Sequence, residues 1–131
     1  MPADALNLVD SSGWIEFFTD GPNAPSFAGP LAATDRLVVP TVSVYEVFRV
    51  VMRQRGKDDA LRAAAQMSRA REVPLSFELA LQAARLAHEM HLAMADSVIL
   101  ATARFTGATI WTQDIDFKGM SRVKYFPKIP A

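Results

Sequence analysis

Short apolar runs alternate along the chain with longer stretches in which apolar residues recur at helical spacing. Ala5–Val9 (ALNLV) is such a run and ends at Asp10. SSGW and an amphipathic stretch through Phe18 follow, which predicts strand, turn and helix. Residues 21–30 (GPNAPSFAGP) hold three prolines and two glycines, so a turn is expected there, with room for one short helix. Arg36–Val39 predicts a second strand, stopped by Pro40. A helix is expected from Thr41 to about Arg55, closed by Gly56. Asp58–Arg69, alanine-rich and polar on one side, predicts its partner in a helical hairpin. Glu72–Leu75 reads as a short connecting strand, Phe77–His91 as a long helix, and Ala95–Phe105 as another helix ended by Gly107. Ala108–Thr112 (ATIWT) is β-branched and aromatic and predicts a strand, with Val123–Phe126 as a last short one beyond the QDIDFKGM loop.

Apolar strands that alternate with helices predict a parallel sheet covered on both faces, which is the α/β class. The 131 residues, half of them apolar, suit one domain spanning 1–131 better than two marginal ones. There is no internal repeat and no low-complexity segment. The absence of cysteine excludes a disulfide framework, a thiolate zinc site and a cysteine nucleophile together. MPADALNLVD lacks the basic and apolar regions of a secretory signal, and no apolar run approaches the ~20 residues that span a bilayer. A soluble, cytoplasmic protein is the expectation.

Net charge is zero, but its distribution is uneven. Residues 1–35 carry five acids and no lysine or arginine. The remainder holds all fourteen bases against nine acids, a surplus of five. An acidic cluster facing a basic surface suits a metal site that must also hold phosphates, and it equally suits an ordinary solvated surface.

In open parallel sheets, sites form where strands end and helices begin. Asp10 follows one predicted strand directly, and Asp114 and Asp116 follow another. Glu46 lies in the first turns of a helix that follows a strand, and Asp96 lies near the start of another helix. Each has a plainer reading. Asp10 suits a helix cap, Ser43-Val-Tyr-Glu46 matches a capping box, Asp96 marks a helix start, and Asp114 and Asp116 are common turn formers. Their joint placement argues otherwise. Carboxylates meeting at one sheet edge repel one another and raise one another's pKa values, a conflict that a divalent cation resolves. All-oxygen ligation favours Mg²⁺ or Mn²⁺. Such ions activate water and stabilise a departing phosphate oxygen, so no nucleophilic side chain is required.

Other residues carry less. His88 and His91 share a helical face without further soft ligands, which favours a surface or structural role. Arg49, Arg53 and Arg55 extend along the helix of Glu46, either to hold phosphates or to solvate it. Trp14, Phe17 and Trp111 fit a core better than a base-stacking platform.

Three segments carry a family resemblance: LVDSSGWIEFF, PTVSVYEVFRV and MADSVILATARFTGATIWTQDIDF. In that order and spacing the chain resembles the PIN-domain ribonucleases, and its size resembles the VapC-like toxins of toxin–antitoxin pairs. The resemblance implies a three-layer α/β/α domain with a central parallel sheet and Mg²⁺-dependent cleavage of RNA. It also implies a homodimer and inhibition by a protein antitoxin. It places the family's acids on Asp10, Glu46, Asp96 and Asp114, with Asp116 as a further metal ligand and Thr112 at a hydroxyl position that positions a ligand or water. Which of Asp114 and Asp116 touches metal is left open. Rival readings are an RNA-processing nuclease without an antitoxin and a non-catalytic α/β interaction module. A phosphatase with a strand-end nucleophilic aspartate fits poorly, because its second acid two residues on is here Ser12.

Overall fold

A computed structural model describes residues 5–130. Five strands form one parallel sheet: β1 (Asn7–Val9), β2 (Leu37–Pro40), β3 (Arg71–Val73), β4 (Thr109–Thr112) and β5 (Val123–Tyr125), in the order β3-β2-β1-β4-β5. Six α-helices join them: α1 (Ser11–Phe18), α2 (Ala24–Ala32), α3 (Thr41–Arg55), α4 (Lys57–Met67), α5 (Phe77–Met90) and α6 (Met94–Thr106). The predicted α/β class holds, with helices on both faces of the sheet. No helix among the described residues is long and apolar enough to cross a membrane.

Alternation along the strands builds the two cores. Leu8 and Val38 point into one, with Ile110, where α5 and α6 supply Leu79, Leu86, Val98 and Ile99. Val9, Leu37 and Val39 point into the other, against Trp14, Phe27, Val47 and Met67 from the first four helices. Strands buried on both faces are apolar throughout, which explains why LVV and TIW read as continuous runs.

Local chemistry sets the ends of the helices. Ser76 caps α5 by accepting from Leu79 N at 3.2 Å, and Gly107 ends α6 at φ +76°, a conformation that disfavours a side chain. Gly13 answers a different need. A Cβ there would stand 2.6 Å from Val9 Cγ1 and 2.8 Å from Phe27 Cε1, so only glycine lets α1 lie this close to the sheet and α2.

Element ends moved by a few residues from expectation, and one element grew. Residues 21–30, expected mainly to turn, supply most of the nine-residue α2, because Pro25 falls in its first turn, where a missing N–H costs nothing. Arg36 lies in a 3-10 turn (Thr34–Arg36), so β2 begins one residue late and runs through Pro40.

Candidate active site

The strand order turns back on itself at β1. The chain passes from β1 to β2 and β3 on one side, then returns to pair β4 with β1 on the other. The carboxyl ends of β1 and β4 therefore border a crevice, the position where open sheets hold ligands. Asp10 directly follows β1 and Asp114 follows β4 by two residues.

A short hydrogen-bond relay closes these two strand ends. Asp10 Oδ1 accepts from Gly13 N at 3.0 Å and from Ser12 Oγ at 2.7 Å, and Oδ2 accepts from Thr112 Oγ1 at 2.6 Å. The same hydroxyls accept in turn: Ser12 Oγ from Gln113 N at 3.2 Å, Thr112 Oγ1 from Asp114 N at 2.8 Å. Asp10 thus caps α1, as its plainer reading had it, and also feels the charge of Asp114 beyond β4.

Asp114 opens a 3-10 turn (Ile115–Phe117) and accepts from Asp116 N at 2.9 Å. That turn folds the second acid back beside the first instead of leaving it along an extended strand. Asp96, in the first turn of α6, completes the group: one carboxylate oxygen from each of Asp96, Asp114 and Asp116 lies within 4.8 Å of the others. The α6 N-cap is Ala93, with no side-chain cap, so Asp96 is not spent on capping.

Crowding and burial show in the proton affinities. Burial raises Asp10 to about 6, partly offset by the Thr112, Ser12 and Gly13 hydrogen bonds and reinforced by the charge of Asp114. Asp96 rises to about 7 through burial first, then through Asp114, Asp116 and Asp10. Carboxyls held this far above their usual range are suited to a divalent cation, and the donors offered are oxygens alone.

Glu46 stands outside the group of three. Its Oε1 accepts from Ser11 Oγ at 2.6 Å, and Ser11 Oγ lies 3.1 Å from the buried Ser43 Oγ. The α3 N-cap is Pro40, so Ser43 and Glu46 do not form the capping box their spacing suggested. Ser11 instead ties Glu46 to the residue beside Asp10.

Three polar residues that sequence reasoning passed over support this edge. Glu16 Oε2 accepts from Asn23 N at 2.7 Å, and Asn23 Nδ2 donates to Gln113 Oε1 at 3.0 Å and to Pro127 O at 2.9 Å. Asn23 and Gln113 are buried. The available signal was Gln113 itself, a large amide placed between Thr112 and Asp114.

The remaining candidates lie elsewhere. His88 and His91 are exposed at the end of α5. Arg49 and Arg53 are exposed on α3, while Arg55 Nη2 donates to Thr19 O at 2.6 Å and pins α3 to the end of α1. Trp14 is fully buried, Phe17 packs edge-on against Phe18, and Trp111 stacks on Phe126 with Lys124 Nζ 4.4 Å from its ring centre.

A comparison with curated proteins finds no match. Among solved structures, the fold is similar to a toxin–antitoxin complex from Klebsiella pneumoniae, at a TM-score of 0.78 and 22% identity over 94% of this chain and 99% of that one. It is also similar to Mycobacterium tuberculosis VapC20, a sarcin–ricin loop cleaving toxin (TM-score 0.74, 20% identity, 87% and 94% covered). A third is VapBC2 from Rickettsia felis bound to a DNA fragment from its promoter (TM-score 0.71, 15% identity, 93% and 98% covered). At these identities the likeness is one of fold. The sequence itself matches the profile of the PIN domain from residue 8 to residue 123, a span that opens in β1 and takes in all five acids at issue. The profile covers most of the chain, and the chain belongs to the PIN-domain family.

Proposed function

We propose that the chain is a metal-dependent endoribonuclease that hydrolyses RNA phosphodiester bonds. The observation that carries this reading is the convergence of Asp96, Asp114 and Asp116 within 4.8 Å, beside a buried Asp10 at the sheet's switch point. Asp10, Asp96 and Asp114 would hold one or two Mg²⁺ or Mn²⁺ ions, with Asp116 as a further ligand. When bound, such ions lower the pKa of a water and neutralise charge on the phosphate.

The chain's own residues do the rest. Thr112 and Ser12 fix both oxygens of Asp10, and the 3-10 turn holds Asp114 and Asp116 side by side. Glu46, aimed by Ser11, would bind metal or orient the attacking water. Family membership and the toxin neighbours support assignment as the toxin of a toxin–antitoxin pair, acting in the cytoplasm as one domain over residues 1–131. A homodimer and a protein antitoxin are part of that reading. The deciding experiment is cleavage of a structured RNA by purified protein with Mg²⁺, Mn²⁺ or chelator. Cleavage with either ion, absent with chelator and in Asp96→Asn, is the expected result. Cleavage that survives both would overturn it.

A further inference from the structure

At the flank of the sheet away from β4 and β5, a cavity of about 540 Å³ opens between β3 and the α5–α6 pair. β3 is an outermost strand, paired with β2 on one side, so its other edge offers backbone N–H and C=O groups to no neighbouring strand. The cavity is apolar at its base, where Val73, Leu79 and Leu86 line it, and Phe105 forms a wall while 72% exposed.

Three arginines from three elements reach this space: Arg71 from β3, Arg85 from α5 and Arg104 from α6. Among the described residues the single ion pair is Arg62–Asp59, and the arginine side chains that hydrogen-bond are Arg55, Arg62 and Arg122. Arg71, Arg85 and Arg104 therefore face the cavity unpaired. Two acids, Glu72 and Glu78, also border it, so the guanidinium groups outnumber the carboxylates by three to two, and Glu72 is already engaged by Thr41 Oγ1 at 3.0 Å. Guanidinium matches carboxylate by a two-pronged hydrogen bond, an apolar slot takes an apolar side chain, and a free strand edge takes extended backbone. Nucleic acid would satisfy the arginines but leave the strand edge and the apolar base unused.

We propose that this flank docks an acidic, apolar peptide segment of a partner protein, added as a further strand along β3. Its carboxylates meet Arg71, Arg85 and Arg104, and an apolar side chain enters the slot beside Phe105. Phe105 lies nine residues beyond Asp96 on α6, about 13 Å along the axis, so the surface is separate from the carboxylate group and independent of the nuclease reading.

The test follows backbone amides of the full-length ¹⁵N-labelled protein by NMR, with chelator present. The probes are the heptapeptide Glu-Thr-Leu-Thr-Glu-Thr-Glu, whose alternate positions put leucine and carboxylates on one face, its counterpart with lysine in place of glutamate, and a six-nucleotide uridine RNA. The acidic peptide is expected to shift the amides of residues 71–73 and Leu75 and slow their hydrogen exchange, while the lysine peptide leaves them unchanged. The double variant Arg85→Glu/Arg104→Glu, altered at two exposed positions, is expected to weaken binding at least tenfold, and Phe105→Ala several-fold. No shift at β3 with millimolar acidic peptide, equal binding by the charge-reversed variant, or tighter binding of the RNA at these residues would each overturn the proposal.

Discussion

Thr112 Oγ1 lies 2.6 Å from Asp10 Oδ2, joining the ends of β1 and β4 across 102 residues of sequence. The same oxygen accepts from Asp114 N at 2.8 Å, so one hydroxyl sets the distance between the buried acid and the backbone of the next. Thr112→Val keeps the shape and removes both bonds. It is expected to cost about 1–2 kcal/mol in chemical denaturation and to lower kcat/KM for RNA. Unchanged stability and cleavage would show that the relay is incidental.

Acid-to-amide change in the carboxylate group should separate charge from fold. Asp96→Asn is expected to raise the melting temperature of chelator-treated protein by a few degrees, by relieving repulsion. Millimolar Mn²⁺ should raise it for the wild type and not for the variant. A variant that melts lower and still responds to Mn²⁺ would contradict the assignment.

The pH dependence carries a definite sign. Asp10 and Asp96 bind protons more tightly in the folded chain than their ordinary 3.8, at about 6 and about 7. Between pH 4 and 7 the folded state therefore holds protons that the unfolded chain has released, and these groups lose stability as pH rises. For Asp10 the loss is about 2–3 kcal/mol once both states are ionised. Without divalent ions, the stability difference between Asp96→Asn and the wild type should widen from pH 4.5 to pH 8. A difference that stays flat would mean the carboxyls are not crowded in solution.

Glu46 should behave unlike the three clustered acids. Glu46→Gln is expected to lower cleavage by about 10- to 100-fold while keeping most of the Mn²⁺-induced gain in melting temperature. Ser11→Ala, which frees Glu46 to turn, should lower kcat more than it changes KM. Loss of the Mn²⁺ response in Glu46→Gln would instead make Glu46 a ligand in its own right.

Gly13→Ala tests the packing that brings α1 down onto the sheet. With its Cβ 2.6 Å from Val9 Cγ1, the variant is expected to lose about 2 kcal/mol or more, measured by urea unfolding. A neutral substitution would show that Val9 and Phe27 give way easily.

The strands and most helices were legible because their signals are local: apolar runs such as LVV and TIW, and helix-ending glycines at positions 56 and 107. The placement of Asp10, Asp96 and Asp114 at one edge was also legible, since each adjoins the end of a strand or the start of a helix. Less accessible was what the acids lean on. The resemblance singled out Thr112, but nothing in sequence ties its hydroxyl to Asp10, and Ser11 reads as a spare hydroxyl until α3 is packed beside it. The one short helix for which residues 21–30 left room is α2, whose first turn accepts Pro25 and whose later turns carry Pro30.

The strand order has a consequence for how the molecule comes into being. β1 is made first yet lies at the centre of the sheet, and one of its two neighbours, β4, follows about a hundred residues later. A chain growing from its amino end can pair β1 with β2, and β2 with β3, early, but its central strand keeps an open side until residues 109–112 emerge. Asp114 and Asp116 come later still. The carboxylate pocket is therefore among the last features to exist, and a chain stopped short of residue 116 carries much of the fold without the pocket.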